Sequence, residues 1–324
     1  FFFSSRRRHT RYGTVTGVQT CALPICLGSA ELIAAAQPIP GDWPKGCKAY
    51  PASFAQSRLW FLQQFEPGLT AYHMPLLWQL RGTLDYGALE KAIEGLLERH
   101  STLRTSFQLQ GQDVLQIIHP TAALSLASEP LQGREIAALM AQCLAQENTT
   151  EFDLACGCLL RCRLLRVADD EHYFLINLHH IASDGWSLSV LKRDFIELYD
   201  AAHSGRHSKL RALPVHYQDY ALWQRHRLSG ERLQELTRYW IEQLSGLEPL
   251  ELPTDHPRPA TPSYRGATLA FAIQPALLQP FERLCQSEAA TLQMGLLALL
   301  ALLFQRYSRQ ADFAIGVPIW GRNH

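Results

Sequence analysis

The sequence predicts an α/β fold, more specifically an α+β sandwich, arranged in two lobes. Short apolar runs with the pattern of buried strands alternate with segments whose apolar residues recur at helical spacing. The chain has 324 residues, more than one typical domain, so two lobes are expected. Hydrophobic residues make up 47% of it, which is enough for a packed core.

The first half of the chain supplies most of the predicted strands. A strand is predicted over 73–82. The segment 84–99 is predicted to be a helix because its apolar residues recur every 3.6 positions, at Leu89, Ala92, Ile93, Leu96 and Leu97. Further strands are predicted over 103–109, 113–118, 159–167 and 172–181, the last two as a hairpin. Further helices are predicted over 133–147 and 186–202.

The second half of the chain is predicted to be mainly helical. Residues 204–214 are polar and end in a proline, so a crossing between lobes is predicted there. The proline-rich segment 253–259 is predicted to be a rigid connector. Helices are predicted over 216–228, 231–245, 276–286 and 290–307, and strands over 267–273 and 312–318.

Residues 1–26 are interpreted as a translated sequencing adapter. Residues 4–11 and 15–25 back-translate in one frame to the two constant parts of a common adapter, so no stable contacts with the rest are expected. Two alternatives remain, a basic targeting segment and a DNA-binding arm, because the stretch has arginines and no acidic residues. Residues 27–48 hold several prolines and glycines and are predicted to be a linker.

Charge and composition argue against several functional classes. The chain has 30 basic and 30 acidic residues, and without the four arginines of residues 1–25 the balance is 26 to 30. No nucleic-acid partner is therefore expected. The longest apolar run, 296–304, is shorter than the roughly 20 residues that cross a bilayer, so no membrane partner is expected.

The cysteines are interpreted as buried free thiols. Cys156, Cys158 and Cys162 would share one face of a strand by their even spacing. A metal site needs a second pair of ligands, and none lies near them in the sequence, so no metal is expected. Free thiols fit a reducing, cytoplasmic environment.

The run His-His-Ile-Ala-Ser-Asp-Gly at 179–185 lies between a predicted strand and a predicted helix. Such a junction brings an imidazole, a carboxylate and free backbone N–H groups together. His180 is the candidate for proton transfer, because imidazole exchanges protons near neutral pH. The alternative is a core histidine bonded to backbone. His179 points to the opposite strand face and is predicted to be structural.

This run resembles the HHxxxDG signature of the chloramphenicol-acetyltransferase-like acyltransferases, and in particular of the condensation domains of nonribosomal peptide synthetases. Four further segments resemble motifs of that family in the family's order, at 53–62, 99–107, 217–224 and 315–322. Trp320 stands where the family usually has a small residue. The resemblance covers residues 49–324.

The resemblance implies a chloramphenicol-acetyltransferase-like fold, two lobes in a V. Residues 49–214 would form the N-terminal lobe with the HHxxxDG motif. Residues 215–324 would form the inter-lobe helices and the first part of a C-terminal lobe. On this interpretation the second lobe is incomplete, and the fragment as given is expected to be inactive.

The reaction implied by the resemblance is amide bond formation. An upstream carrier-bound aminoacyl or peptidyl thioester would be joined to the amine of a downstream carrier-bound aminoacyl thioester. Both substrates would arrive on phosphopantetheine arms of partner carrier proteins, and no cofactor would be bound directly. The expected partners are the upstream and downstream peptidyl carrier domains and an adjacent adenylation domain. The wording at 183–187 favours an L-donor, L-acceptor type.

The remaining site residues follow from the same resemblance. Asp184 would be a structural carboxylate paired with an arginine, and it is also placed to cap the helix after it. Gly185 would allow a close backbone approach and a φ that other residues resist, with its N–H facing the thioester carbonyl. Ser187 is a weaker candidate at the same turn.

The residues expected in a supporting shell are His179, Arg99, Arg104, Ser187 and Trp223. Arg99 and Arg104 lie near the end of one predicted helix, and either is expected to pair with Asp184. The alternative is two surface cations. Trp223 would brace the interface under the channel, although a core aromatic cluster describes it equally well.

Related functions remain as alternatives. A starter-type or free-standing acyltransferase would transfer a fatty or aryl acyl group with the same fold. A non-catalytic recruitment domain is less favoured, because such domains tend to lose the second histidine and His180 is present. An epimerisation domain uses related motifs, but the wording at 53–62 and 217–224 fits condensation better.

Overall fold

A computed structural model describes residues 2–4, 37–123, 126–130, 136–259, 266–267 and 269–317 of the chain. Helices and strands alternate through most of this part, which confirms the mixed α/β class. The helices are α1 (Phe54–Phe65), α2 (Tyr86–Arg99), α3 (Ile136–Thr149), α4 (Gly185–His203), α5 (Tyr217–Arg227), α6 (Gly230–Leu244), α7 (Pro275–Ser287) and α8 (Leu292–Ser308). The strands are β1 (Phe2–Ser4), β2 (Lys48–Pro51), β3 (His73–Arg81), β4 (Thr105–Gln110), β5 (Asp113–Ile118), β6 (Leu126–Pro130), β7 (Leu160–Ala168), β8 (Glu171–His179) and β9 (Ala314–Gly316).

The larger of two compact units, Cys26–Gly230, is built around a four-stranded sheet. Its strand order is β3-β8-β7-β6, in which β7 and β8 form the predicted hairpin and β6 runs parallel to β7. Strand β3 pairs antiparallel with β8 so that His73 lies opposite His179. Because side chains alternate along a strand, β8 directs Phe174 to one face and Asn177 and His179 to the other.

Helices α2 and α4 cover one face of this sheet and close the main core. Helix α2 begins after Asp85, whose carboxylate accepts a hydrogen bond from the Ala88 N–H at 3.0 Å. The apolar stripe predicted for this helix is buried against the sheet. The buried members of this core are Leu89, Ala92, Ile93, Leu96, Leu97, Leu103, Leu160, Cys162, Leu164, Phe174, Ile176, Leu178, Leu191 and Phe195. The same packing holds the start of α4, and with it the residues after His180, against the sheet.

A second sheet of three strands, in the order β2-β5-β4, completes this unit. Helix α5 packs near it and contacts the start of α1. The Tyr217 hydroxyl lies 3.0 Å from Ser53 Oγ, and the Phe54 N–H donates to Gln224 Oε1 at 3.0 Å. The segments 53–62 and 217–224, which resemble separate motifs of one family, therefore contact each other directly.

The second unit contains the described residues from Glu231 onward together with β1. Strand β9 pairs antiparallel with β1, which places Phe2–Ser4 opposite Ala314–Gly316. The expectation that residues 1–26 make no contacts is therefore wrong for these three residues. Their interpretation as a translated adapter stays a prediction.

The strand predicted over 267–273 is wrong. No strand forms among its described residues, and Leu269 and Phe271 are 88% and 82% exposed. A strand needs a neighbour to take up its backbone hydrogen bonds, and an apolar pattern alone does not supply one. The predicted strand over 312–318 is shorter, at Ala314–Gly316.

Several elements were not predicted from the sequence, namely β2, β6 and α1. The described end of the predicted linker is packed, since the Ile39 N–H donates to the Ala49 carbonyl at 2.8 Å. Residues 5–36 and residues 318–324, which include most of the fifth motif-like segment, lie outside the described part of the chain. The lobe boundaries 49–214 and 215–324 stay predictions.

Length and apolar composition leave no single helix of the described chain able to cross a membrane. Helices α7 and α8 meet that criterion only as a pair, and the pair is bent by 105°.

Candidate functional site

The HHxxxDG run forms a tight connection from sheet to helix. Strand β8 ends at His179, residues 180–182 form a turn, and α4 begins at Gly185 after the N-cap Asp184. Sequence analysis placed the strand end at 181 and the helix start at 186, so the junction was found to within two residues. The turn carries His180 out of the sheet.

His180 is exposed at this turn. Its backbone N–H donates to the carbonyl of Tyr72, the residue before β3, at 2.8 Å. The Tyr72 ring stands edge-on to the His180 ring, with 6.5 Å between their centroids. The structure therefore holds His180 by its backbone and leaves its imidazole accessible, which argues against the core-histidine alternative.

His179 lies in the opposite environment and is fully buried. The Ile181 N–H donates to its Nδ1 at 3.1 Å. Its ring packs edge-on against the rings of Phe152 and His73, at 5.9 and 6.1 Å between centroids. Burial, with smaller contributions from His73 and His180, lowers the pKa of His179 to about 3, so the ring is neutral near pH 7. These contacts are those of a structural residue.

Asp184 caps α4. Its Oδ1 accepts from the Ser187 N–H at 2.9 Å and from the Ser187 hydroxyl at 2.6 Å. An N-cap carboxylate satisfies a backbone N–H that the helix leaves without a partner. Ser187 is thus engaged by Asp184 at this turn, which is the capping arrangement that the sequence indicated.

Gly185 does not need the backbone freedom of glycine. The glycines with positive φ in the described chain do not include it, so the predicted unusual φ is wrong. A Cβ added to Gly185, at the first position of α4, would meet no atom of the described residues within 4 Å.

The two arginines have partners other than the predicted one. Arg99 Nε donates to Asp194 Oδ2 at 2.9 Å, and its guanidinium also donates to the Arg211 carbonyl at 2.7 Å. Arg104 Nε donates to the Leu97 carbonyl at 3.0 Å, and its other nitrogens reach two further backbone carbonyls. The expectation that one of them pairs with Asp184 is wrong.

The reason lies in the packing of α2 against α4. Asp194, in the third turn of α4, is fully buried and faces the end of α2. Burial raises the pKa of Asp194, but hydrogen bonds from Arg193 and Arg99 outweigh it and hold that pKa below its usual value. Arg99 therefore joins two helices behind the site, and sequence distance gave no means of choosing Asp194 over Asp184.

Trp223 lies on α5, half-buried and tilted against the Tyr220 ring at 5.7 Å between centroids. It belongs to an aromatic row with Tyr217, which is 5.5 Å from Tyr220. Tyr217 of this row contacts Ser53, just before α1. This arrangement agrees with the alternative interpretation of Trp223 as part of an aromatic cluster.

A buried polar network escaped the sequence analysis. The Glu147 carboxylate, 3% exposed, pairs with Arg161 and Arg163 of β7, each at 2.9 Å. Asn177 Nδ2 donates to the same carboxylate at 3.1 Å, and His73 Nδ1 lies 3.2 Å from the Glu147 carbonyl. The sequence did carry a signal for this network. Arg161 and Arg163 are two positions apart on one strand, as are Asn177 and His179 on the next, so each pair shares one face of the sheet.

The cysteines differ from the prediction in part. Cys162 is buried on β7, whereas Cys156 is exposed and Cys158 is half-buried before the strand begins. Burial raises the pKa of Cys162, which makes it an inert thiol. The described residues include no cluster of three or more His, Cys, Asp or Glu side chains suited to a metal.

A model of the condensation-domain family matches residues 47–324. A linear gramicidin synthase of Brevibacillus parabrevis is 43% identical over 279 residues, or 84% of this chain and 5% of that protein. Phosphinothricin tripeptide synthetase PhsC of Streptomyces viridochromogenes is 38% identical over 278 residues, or 84% of this chain and 25% of that protein. The chain thus spans a small part of the curated relatives that it matches.

Solved structures share the fold. The X-domain from teicoplanin biosynthesis aligns with a TM-score of 0.73 and 31% identity, over 83% of this chain and 59% of that one. A four-domain nonribosomal peptide synthetase bound to AMP and glycine aligns with a TM-score of 0.75 and 21% identity, over 87% and 22%. At that identity the likeness shows the fold alone. The predicted chloramphenicol-acetyltransferase-like fold is confirmed.

Proposed function

Because the chain belongs to the condensation-domain family of nonribosomal peptide synthetases, we propose that it forms the amide bond between two carrier-bound substrates. The donor is an aminoacyl or peptidyl thioester on an upstream carrier, and the acceptor is the amine of an aminoacyl thioester on a downstream carrier. Both are held on phosphopantetheine arms of the carriers. The wording at 183–187 favours L-configured substrates on both sides.

The observation that carries this proposal is that the two histidines lie in opposite environments. His179 is buried and neutral, whereas His180 presents an exposed imidazole on the turn that leads into α4. Attack of an amine on a thioester carbonyl requires a neutral amine and a group that takes up or stabilises its proton. The imidazole of His180 supplies that group, and it also positions the amine.

The developing oxyanion needs hydrogen-bond donors, and the start of α4 offers them. We assign the Gly185 N–H to this role, with Asp184 and Ser187 holding the turn in shape. Arg99 supports the site by fixing α2 to α4 through Asp194, and Arg104 by fixing the end of α2. Trp223 braces α5 against α1.

The partners follow from the same proposal. The relatives are multidomain synthetases of which the chain spans a few per cent, so we assign it upstream and downstream peptidyl carrier domains and an adjacent adenylation domain as neighbours. Such an assembly works in the cytoplasm, where carriers and amino acids are supplied.

The test is single-turnover amide formation in a synthetase module that carries this chain, with loaded donor and acceptor carriers. His180→Ala is expected to lower the rate by about 10²- to 10⁴-fold, the usual contribution of a proton-transferring side chain. His203→Ala is the matched control, because it removes an imidazole at the far end of α4, about 27 Å along the helix from Gly185. A His180→Ala module with a normal rate would show that another group handles the proton.

A second candidate is a recruitment domain that binds a partner without catalysis. The X-domain that aligns here at 31% identity is also known in a complex with OxyB. The same assay separates the two functions, since a recruitment domain gives no amide product with any loaded carriers. Product formed from a fatty acyl donor only would instead favour the starter-type alternative.

A further inference from the structure

Tyr72, the residue before β3, contacts His180, and His73, the first residue of β3, contacts His179. The Tyr72 carbonyl accepts the His180 N–H at 2.8 Å. The His73 ring faces the His179 ring, with 6.1 Å between centroids and 69° between planes. Half-buried Tyr72 and His73 thus lie side by side with the exposed His180 and the buried His179 at the end of the sheet.

The hydrogen bonds of His73 determine which of its nitrogens carries the hydrogen. Its Nδ1 lies 3.2 Å from the Glu147 carbonyl oxygen, which can only accept, so Nδ1 carries the hydrogen and donates. Burial lowers the pKa of His73, and the ring is neutral near pH 7. Its Nε2 is therefore a bare acceptor.

His179 has the opposite tautomer. The Ile181 N–H donates to its Nδ1 at 3.1 Å, so Nδ1 is bare. Since this ring is also neutral, its hydrogen lies on Nε2, which is a donor. If the tautomer were reversed, two N–H groups would face each other and the Ile181 N–H would lose its acceptor.

Both Nε2 atoms are buried and have no hydrogen-bond partner among the described residues, so they do not bond to each other directly. One is a donor and the other an acceptor, and a water molecule can accept from the first and donate to the second. The second hydrogen of this water can be accepted by Asn177 Oδ1, which lies on the same face of β8 and is buried with no hydrogen-bond partner among the described residues. Buried water commonly makes such a set of about three hydrogen bonds.

We propose that one buried water joins His73 to His179, and that His73 is thereby a positioning residue for His180. The bridge holds His179 in the tautomer that accepts the Ile181 N–H. That hydrogen bond fixes the turn on which His180 sits, and the Tyr72 carbonyl fixes the same turn from its other side.

The Glu147 network anchors this arrangement at its far end. The position of the Glu147 carbonyl is set because its carboxylate is held by Arg161 and Arg163. A continuous path of hydrogen bonds therefore runs from β7 through Glu147, His73 and His179 to the turn. The path reaches the turn through the hydrogen bond between His179 and Ile181, so it acts through the placement of His180.

The first part of the test does not depend on activity. Histidine ¹⁵N chemical shifts and two-bond couplings of the full chain report which ring nitrogen carries the hydrogen. We expect Nδ1–H for His73 and Nε2–H for His179. Nδ1–H at His179 in the wild-type chain would overturn the proposal.

The second part rests on the proposed function and uses the amide-formation assay. His73→Leu removes both polar atoms and is expected to lower kcat by on the order of 100-fold, with the KM for carriers unchanged. His73→Gln places a polar group where Nε2 was and is expected to recover part of kcat, while His73→Asn retains only the bond to Glu147. His172→Leu is the control, since it removes another buried imidazole from β8 at the end far from the site.

The outcomes are distinguishable. Equal kcat for the Gln and Asn variants would overturn the proposal, even if the Leu variant did not fold. Unchanged kcat and unchanged His179 tautomer in His73→Leu would overturn it as well. A wild-type module that makes no amide would contradict the proposed function, and comparison of the His179 tautomer in the wild-type chain and in His73→Leu would still test the bridge.

Discussion

The two faces of the four-stranded sheet are held by different interactions. The face under α2 and α4 is mainly apolar: Leu164, Phe174 and Leu178 are fully buried there, and His172 is a buried polar residue of β8 on the same face. The face under α3 is apolar around Leu165 and Leu175 but becomes polar toward the site, where Glu147 pairs with Arg161 and Arg163. Apolar burial is not directional and stabilises the unit as a whole, whereas hydrogen bonds are directional and fix where individual atoms lie.

The apolar face is expected to carry most of the stability. Phe174→Ala removes a fully buried ring between Trp78 and Phe195 and should lower the free energy of unfolding by about 3–5 kcal/mol. Tyr173→Ala, the adjacent residue on the opposite face, is the control and should cost clearly less. Urea denaturation of both variants measures the difference, and equal losses would contradict the contrast between the faces.

The polar face is expected to contribute less to stability. Glu147→Gln keeps the shape but removes the charge that Arg161 and Arg163 share, which should cost about 1–3 kcal/mol, because both arginines retain some solvent. Glu151→Gln, at an exposed carboxylate of the same region, should change stability by less than about 0.5 kcal/mol. If Glu147→Gln lowered the free energy of unfolding by more than Phe174→Ala does, the polar face would contribute more to stability than the apolar face.

Acid should destabilise the protein in part through His73 and His179 on the polar face. Folding lowers the pKa of His73 and His179, so the unfolded chain binds more protons below about pH 6.5, the ordinary histidine value. Stability is then complete above that pH and is lost as the pH falls, by up to about 1.4 kcal/mol per pH unit for each such group.

Melting temperatures between pH 8 and pH 5 measure this effect. His179→Phe should flatten the decline, because it removes a buried imidazole whose pKa is lowered by folding. His100, His119 and His172 also have lowered pKa values through burial, so part of the slope will persist. A slope that is identical in His179→Phe and the wild type would contradict the assignment.

The smallest effect is expected at the helix cap. Asp184→Asn keeps an oxygen for the Ser187 N–H, whereas Asp184→Ala removes it. The two variants should therefore differ by about 1 kcal/mol in unfolding free energy, the usual worth of an N-cap. Thermal melts of both proteins measure that difference, and equal stability would show that the cap contributes nothing to α4.

The sequence was most informative where the signal is local. The helix stripe from Leu89 to Leu97 has its own period, so α2 was predicted to within two residues at each end. The opposite directions of His179 and His180 were predicted for the same reason, since a strand alternates its side chains. The strand over 267–273 failed because its formation depends on a neighbour that its own residues do not encode.

What the sequence by itself determined was the family, the junction from β8 to α4 and the identity of the exposed imidazole, because each depends on residues a few positions apart. Only the tertiary structure decided that Arg99 pairs with Asp194, that Glu147 pairs with Arg161 and Arg163, and that His73 faces His179. These contacts join residues from 14 to 106 positions apart, and no periodicity spans such distances. The partner of each residue is decided by how whole helices and strands pack together, and that packing depends on many residues along the chain at once.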